Sequence, residues 1–251
     1  MIIDELLELL AEKARHQAVQ EVRIGLGYTA VLLDNGACGL DYIRDVRGGH
    51  LQAGVNFFST NLHDVFVLEE SQVFGGDFRE FLRVNGAGSH VRGVEFDLNW
   101  RINRSLALRG GSTFQEARYQ EPEPVFGSLR YFRAPNRYGF ASIDVFLPRD
   151  VSVFATADFT GSMVVPHYAG YIPRDRVQKT PAYAVYNLVF SRAFDLNRDM
   201  GNRRRMRLYL KVNNLFDNYQ RDLDRGPLRD AGYFYGPTNM RGVTFGMAMT
   251  F

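Results

Sequence analysis

Large apolar side chains occupy every second position near the end of the chain: Val243, Phe245, Met247, Met249 and Phe251. The positions between them hold Gly, Thr or Ala, so one face is large and apolar and the other is small or weakly polar. A period of two is the pattern of a β-strand. Residues 204–215 alternate in the same way, with basic residues and Tyr on the polar side. The pattern predicts two strands, which we expect to pair in antiparallel register across the loop 217–240.

Seven earlier segments show the same period: 51–59, 61–69, 91–100, 106–114, 139–147, 151–161 and 182–191. About nine strands are therefore predicted in all. Their connections alternate between short ones, at 61–63, 101–104, 148–150 and 195–203, and long ones, at 70–82, 120–136, 162–180 and 217–240. Short turns at one end and long loops at the other are typical of an outer-membrane barrel. The predicted fold is mainly β, an antiparallel up-and-down transmembrane β-barrel over 49–251.

The start of the chain follows a different pattern. Apolar residues recur at helical spacing over about 4–17, which predicts an amphipathic helix. An apolar strand over 21–33 ends on Asp-Asn-Gly, a strong hairpin signal, and predicts a return strand over 37–43. We therefore expect two domains, a short soluble-type α+β segment over 1–46 that is foreign to the rest, and the barrel strands over 49–251.

The composition excludes several classes of function. No apolar run approaches the roughly 20 residues of a membrane helix, which excludes a helical span. The net charge of +2 without a basic tract excludes a nucleic-acid partner. Cys38 is the single cysteine, so an internal disulfide is excluded. The five histidines are scattered, and no nucleophile elbow, phosphate-binding loop or Cys-x-x-Cys is present. The chain is predicted not to be an enzyme.

Three segments resemble motifs of the TonB-dependent outer-membrane receptors. The run LKVNNLFDNYQ at 210–220 is similar to the "NLFD.Y" motif of that family's penultimate strand, and VRGVEFDL at 91–98 resembles its internal "GVE" strand. Residues 229–251 resemble its "GP..PR....G..F" ending, although Asn239-Met240 stands where a Pro is usual before the Arg. The resemblance extends over about 200 residues and implies the C-terminal part of such a receptor.

That resemblance implies a function and a set of partners. Receptors of this family form barrels of about 22 strands and import a nutrient such as a ferric siderophore. The implied partners are outer-membrane lipid, the inner-membrane TonB energy-coupling system and the barrel-assembly machinery, which would read the terminal aromatic Phe251 as an assembly signal. The implied location is the cell outer membrane, although no signal peptide is visible in this chain. Residues 1–46 match no plug domain, so we expect a receptor fragment that does not transport alone.

The N-terminal segment supports an alternative. Residues 24–40 resemble the opening of a soluble family of heavy-metal-chelation proteins, although that family's metal-related residues have no counterparts here. The alternative is therefore a soluble, non-enzymatic binding protein, metal-related, built on the N-terminal α+β unit. A soluble product in detergent-free buffer favours this alternative, whereas inclusion bodies favour the barrel.

Two of the long loops carry candidate ligand contacts: His167, Tyr168, Tyr171, Arg174, Arg176, Tyr233 and Tyr235. Arg and Tyr donors suit an anionic iron chelate. The alternative for the aromatic residues is an interface girdle at the strand ends.

The spacing of Asp222, Asp224 and Asp230 around a Gly suggests oxygen ligands for Ca²⁺ in an external loop. A loop held by salt bridges to Arg221, Arg225 and Arg229 is the alternative. No other cofactor is predicted.

Overall fold

Fifteen β-strands make up the regular structure of the part of the chain that the computed structural model describes, residues 20–24, 28–33, 36–46, 48–63, 65–70, 81–196 and 204–250. The strands are β1 Gln20–Ile24, β2 Tyr28–Leu33, β3 Ala37–Val46, β4 Gly49–Leu62, β5 Phe66–Glu70, β6 Phe81–Asn85, β7 Ser89–Arg101, β8 Leu106–Tyr119, β9 Arg137–Leu147, β10 Val151–Thr160, β11 Val164–His167, β12 Arg176–Lys179, β13 Tyr183–Asp195, β14 Arg205–Asn213 and β15 Gly242–Thr250. None of these described residues forms a helix that could cross a membrane.

Eleven of the strands form a single antiparallel sheet in the order β1-β2-β3-β4-β7-β8-β9-β10-β13-β14-β15. The remaining four form two hairpins, β5–β6 and β11–β12, which lie within the connections between main-sheet strands. Each main-sheet strand pairs with the next main-sheet strand along the chain, so the topology is up-and-down as the sequence predicts. Among the described strands, β1 and β15 lie at the two edges and do not pair with each other.

The register separates apolar from polar side chains across the whole sheet. On β14 and β15, Leu208 lies opposite Met247 and Leu210 opposite Phe245, which defines the apolar face. The other side chains, such as those of Lys211 opposite Thr244, define the polar face. The predicted pairing of the last strand is therefore confirmed, while Phe251 lies outside the described residues.

The apolar face of the sheet is not covered within the described part of the chain. Phe245 is 72% exposed, and Phe57, Phe96 and Phe114 are also exposed. A sheet face with many large exposed apolar side chains is not stable in water, whereas a membrane barrel turns such a face to lipid.

One predicted strand is wrong. The pattern placed a short turn at 61–63 and a strand at 61–69, but β4 continues through Leu62 and pairs directly with β7. Residues 66–70 form β5, which pairs only with β6 in the connection beyond β4. Alternation marks a strand without naming its partner, so the sequence could not distinguish a loop hairpin from a strand of the main sheet.

The N-terminal prediction is corrected in part. The predicted helix lies outside the described residues, and the described residues before position 47 form strands only. The strand predicted over 21–33 is two antiparallel strands, β1 and β2, while the predicted hairpin of β2 with β3 is present. Gly36 in that turn has φ +66°, which glycine adopts without strain. Because β3 pairs with β4, this segment continues the main sheet.

Connections of the sheet alternate in length from β3 onward. Short ones lie at 47–48, 102–105, 148–150 and 196–204, and long ones lie at 63–88, 120–136, 161–182 and 214–241. In an antiparallel sheet, alternate connections leave from opposite ends. All four long connections therefore share one end, which we call the long-loop end.

Candidate functional site

The hairpin β11–β12 and the loop 214–241 pack together at the long-loop end. His167 closes β11 and pairs across the hairpin with Arg176. Its Nε2 atom lies 2.9 and 3.1 Å from the two carboxylate oxygens of Asp224, and its ring stacks on Tyr233 with centroids 3.6 Å apart. The side chains of His167 and Asp224 are only 3% and 1% exposed. A buried hydrogen bond to a carboxylate and a buried ring stack thus join the two loops.

Asp230 strengthens this junction through its carboxylate. One oxygen accepts the backbone N–H of Tyr168 at 3.0 Å, and the other accepts that of Gly232 at 2.8 Å. The backbone N–H of Asp230 in turn donates to Asp224 at 3.0 Å. Charge-assisted bonds of this kind are about twice as strong as neutral ones. The two carboxylates therefore hold the loop backbones as well as His167.

Gly170 allows the backbones of the two loops to approach closely. It has φ +143°, and a Cβ built there would lie 2.6 Å from the carbonyl oxygen of Leu228. A larger residue would be strained in this conformation and would separate the two backbones.

A third loop, 120–136, is tied to the same assembly by Arg133. Its Nη1 atom donates to the carbonyl of Phe234 at 2.8 Å, and its Nη2 atom donates to that of Gly232. The backbone N–H of Arg133 donates to the carbonyl of Val164, the first residue of β11. Three long loops are thus connected, and we call this unit the loop platform, residues 120–136, 161–182 and 214–241.

Asp222 accepts hydrogen bonds from two phenols, Tyr233 at 2.8 Å and Tyr235 at 2.7 Å. Partial burial opposes ionisation of Asp222, but the bonds from Tyr235 and Tyr233 outweigh it and lower the pKa of this carboxyl. Burial and the nearby carboxylate raise the pKa of both Tyr233 and Tyr235. The carboxylate is therefore ionised and the phenols are neutral over a wide range of pH.

The arginines of the hairpin and the loop 214–241 face the solvent: Arg174, Arg176, Arg221, Arg225 and Arg229 are all exposed. Among the described residues none of the five forms an ion pair. Arg221 lies over the ring of Tyr219 at 5.3 Å, and Arg229 donates to the carbonyl of Gly226. Phenols, an imidazole and backbone amides satisfy the acids, so the outer surface of the platform carries unpaired positive charge.

A network centred on Asn214 anchors the platform to the sheet. Its side chain donates to the carbonyls of Asn218 and Asn239, both at 2.9 Å, and accepts the backbone N–H of Asn218 at 2.9 Å. Its backbone N–H donates to Asn187 on β13. Asp217 accepts the backbone N–H of Arg241, just before β15. The run 213–219 therefore ties the external ends of β13, β14 and β15 together.

Comparison with known sequences now decides the family. The sequence profile described as "TonB dependent receptor-like, beta-barrel" matches residues 39–215, well over half of the chain. The chain belongs to the TonB-dependent receptor β-barrel family. A comparison with curated protein sequences found no match.

Solved TonB-dependent receptors share the fold. The ferric-catecholate import receptor Fiu from K12 E. coli is 20% identical with a TM-score of 0.55, and the match covers 92% of this chain and 30% of that chain. A mutant of the ferric enterobactin receptor PfeA from Pseudomonas aeruginosa is 18% identical with a TM-score of 0.51, and the match covers 88% of this chain and 31% of that chain. P. aeruginosa FpvA bound to pyoverdines is 13% identical with a TM-score of 0.57, and the match covers 90% of this chain and 31% of that chain. The chain thus spans about a third of the length of these receptors.

Family membership gives the two faces of the sheet their meaning. In an outer-membrane barrel the apolar face meets lipid and the polar face lines the lumen. On the polar face Arg109 donates to Asp144 at 2.5 Å, beside Asp97, Asn99 and Gln52. The family consists of receptors and transporters, which confirms the prediction that the chain is not an enzyme.

The loop platform unites all seven residues predicted to contact a ligand, but it presents them differently. His167 and Tyr233 are buried, Tyr168 and Tyr235 are half-buried, and Tyr171, Arg174 and Arg176 are exposed. Sequence reasoning missed Arg133, because a lone arginine in a loop carries no signal of the carbonyls that it will meet. Whether any of these residues contacts a ligand stays a prediction.

The three aspartates predicted for Ca²⁺ lie close together but are engaged otherwise. Asp222 accepts hydrogen bonds from two phenols, and Asp224 is hydrogen-bonded to His167. Asp230 accepts hydrogen bonds from two backbone amides. The described part of the chain contains no group of three or more His, Cys, Asp or Glu residues arranged to hold a metal. Calcium binding stays a prediction. The alternative of salt bridges to three arginines is wrong for the described contacts.

Proposed function

We propose that the chain forms part of the wall and external surface of a TonB-dependent outer-membrane receptor that imports a nutrient such as a ferric siderophore. The observation that carries the ligand assignment is the division of charge in the loop platform. Asp222, Asp224 and Asp230 are engaged in hydrogen bonds inside the platform, whereas the five arginines of the hairpin and the loop 214–241 are exposed and form no ion pair among the described residues. A guanidinium group offers a planar fork of donors, which suits the carboxylate or catecholate oxygens of an iron chelate.

Tyr171 and the two arginines of the β11–β12 hairpin are the proposed contacts. Tyr171 is 53% exposed, and Arg174 and Arg176 flank the same turn. The links through His167 and Asp230 fix this hairpin before a ligand arrives, which lowers the entropic cost of binding. Buried His167 and Tyr233 then act as supports.

The proposed location is the outer membrane, with lipid against the apolar face and the barrel-assembly machinery reading the end of β15. The protein does no covalent chemistry in this proposal. An inner-membrane TonB system supplies the work of transport. The three solved structures named above are of a ferric-catecholate import receptor, a ferric enterobactin receptor and FpvA bound to an iron–pyoverdine complex, which supports an iron chelate as the nutrient.

The first prediction tests the ligand contact directly. In the receptor that contains this chain, Arg174→Ala with Arg176→Ala should weaken binding of a radiolabelled ferric siderophore by about 100-fold or more. Two charge-assisted bonds of about 1.5–3 kcal/mol each are lost, and about 1.4 kcal/mol corresponds to a tenfold change in affinity. The matched control is Arg101→Ala with Arg207→Ala, which removes the same charge from the polar face of the wall. Equal affinities in both double variants contradict the proposed contact.

A further inference from the structure

The apolar face becomes polar close to the long-loop end. Val94 on β7 lies between Phe57 and Phe114 on the neighbouring strands. Two residues further along β7, the same face carries Arg92, which lies opposite Glu116 on β8. Two residues correspond to about 7 Å along a strand. The apolar band therefore ends in charged side chains that still point away from the lumen.

Glu116 arranges two arginines at this boundary. Arg92 donates to one carboxylate oxygen from Nε at 3.2 Å and from Nη2 at 2.7 Å, and Arg118 donates to the other oxygen from Nε at 2.7 Å. The side chains of Arg92 and Arg118 remain 64% and 61% exposed. One carboxylate thus fixes two guanidinium groups and leaves their other N–H donors free for a further acceptor.

A cavity of about 400 Å³ adjoins this pair, between the end of β8, the segment 130–136 and the hairpin β11–β12. Arg118, Arg130 and Lys179 line it together with Ser162 and Asn136, and Glu116 is the single acid among the lining residues. Arg118 and Arg130 are cross-strand partners in an isolated antiparallel bridge, so their side chains leave the backbone on the same side.

The balance of charge at the boundary is strongly positive. Arg92, Arg118, Arg130 and Lys179 supply four cations, and Glu116 supplies the only carboxylate of the group. Excess cations beside an apolar band are the arrangement that attracts anionic lipid, at about 1 kcal/mol for each Lys or Arg near the surface. Arg also binds a phosphate oxygen pair in a bidentate manner.

We propose that this cavity binds the phosphate group of a lipid in the outer leaflet, with the acyl chains lying along the apolar band below Phe114 and Phe57. The inference rests on the membrane position given under the proposed function, but not on the transported ligand. Arg118, Arg130 and Lys179 hold the phosphate, while Glu116 positions Arg92 and Arg118.

Lipid retention by the full chain refolded in detergent tests the proposal. Native mass spectrometry measures binding of lipid A, a phosphorylated glycolipid, with phosphatidylcholine as the zwitterionic control. Arg118→Ala with Arg130→Ala and Lys179→Ala should weaken lipid A binding by about 100-fold, since three interfacial charges are lost. The matched control Arg101→Ala with Arg207→Ala and Lys211→Ala removes three cations from the polar face and should leave lipid A binding within about twofold of wild type.

A second variant works in the opposite direction. Glu116→Gln removes the negative charge but keeps a side-chain oxygen that accepts from an arginine, and it should tighten lipid A binding by about fivefold, because the net positive charge rises by one. Three results would overturn the proposal. Both triple variants could lose lipid A affinity equally, the cavity variant could keep its affinity, or Glu116→Gln could show no increase in affinity. Displacement of lipid A by millimolar inorganic phosphate also overturns it, because the site would then take a free anion. Insertion into phosphatidylcholine vesicles tests the proposed membrane location separately. If the chain does not insert, the membrane location is wrong, while lipid A binding in detergent micelles still tests the phosphate site.

Discussion

Asn214 shows how much one side chain contributes at the residue scale. It is 4% exposed and has φ +50°, a left-handed conformation that asparagine tolerates better than most residues. Its amide meets both donor and acceptor requirements of a tight turn at the end of β14. This explains physically why Asn stands at this point of the motif that resembles the receptor family.

Substitution of Asn214 should destabilise the sheet and its loop. Asn214→Ala removes three side-chain hydrogen bonds, at about 1 kcal/mol each, and adds strain of about 1 kcal/mol from the positive φ. The expected loss is about 4 kcal/mol in the free energy of unfolding, measured by urea titration in detergent. Asn214→Gly loses the same bonds without the strain, so it should cost about 1 kcal/mol less. Equal costs for the two variants contradict the strain contribution.

Gly246 makes a contact that the alternation of the last strand does not reveal. It faces Tyr209 across the β14–β15 pair, and a Cβ built there would lie 2.2 Å from the Tyr209 ring. The ring covers the glycine, an arrangement that stabilises glycines in strands. A Gly246→Ser change looks harmless from the alternation alone, but in the structure it requires the ring to move.

At the scale of elements, the long loops behave as one unit because polar groups are buried between them. His167, Asp224 and Tyr233 come from segments more than fifty positions apart, yet they form a hydrogen-bonded stack. Breaking a buried charged contact leaves an unpaired charge and costs about 3–5 kcal/mol. The platform is thus a fixed element, set by contacts that no local pattern shows.

The phenol–carboxylate cluster should give the platform a window of pH stability. The folded pKa of Asp222 is lowered, so its contribution is present above the ordinary value of 3.8 and is lost as the pH falls below it. The folded pKa values of Tyr233 and Tyr235 are raised, so their contribution is present below 10.0 and is lost as the pH rises above it. Ultraviolet titration should show three tyrosines that ionise later than the rest: Tyr233, Tyr235 and Tyr119, because burial raises the pKa of Tyr119 to about 12.

The variant Asp222→Asn provides the control for this titration. Without the carboxylate, Tyr233 and Tyr235 lose the anionic acceptor that favours their neutral form, and their ionisation should move toward the ordinary range. Tyr119 should still ionise late, because Asp222 is not among the causes of its raised pKa. Three late tyrosines with unchanged midpoints in this variant contradict the role given to Asp222.

At the scale of the whole molecule, the sheet has two edges among the described strands, β1 and β15. An edge strand presents unpaired N–H and C=O groups, and each costs several kcal/mol in hydrocarbon. The main sheet has eleven strands, whereas large outer-membrane transporters have about 22. The chain spans about a third of the length of the solved receptors that it matches.

The 251 residues expressed alone should therefore not import iron. An unclosed sheet cannot seal a lumen, so a receptor-null strain that makes only this chain should show no uptake of radiolabelled ferric siderophore above the empty strain. The same strain with an intact receptor such as Fiu is the positive control, and immunoblotting of outer membranes confirms that the chain is made. Restored uptake of ferric siderophore by the chain alone contradicts the prediction.

The sequence by itself determined the main-sheet strands from β7 onward and their antiparallel order. Alternation along β7, β8, β9 and β10 sets which side chains share the apolar face, because the period of a strand is two and a shift of one residue would reverse every side chain. The motif around Asn214 and the ending before β15 placed the chain in its family. These features depend on residues that are close together in the sequence, so they can be predicted from the sequence alone.

The tertiary structure alone decided the rest. Alternation at 66–70 marks a strand but not its partner, so only the fold shows that β5 pairs with β6 outside the main sheet. The bonds of His167 to Asp224 and of Arg133 to Gly232 join loops that are distant along the chain. The charged boundary around Glu116 exists only because β7 and β8 place Arg92 opposite Glu116 on one face, with Arg118 two residues further along β8. Contacts between distant segments depend on register and loop packing, and no single segment encodes them.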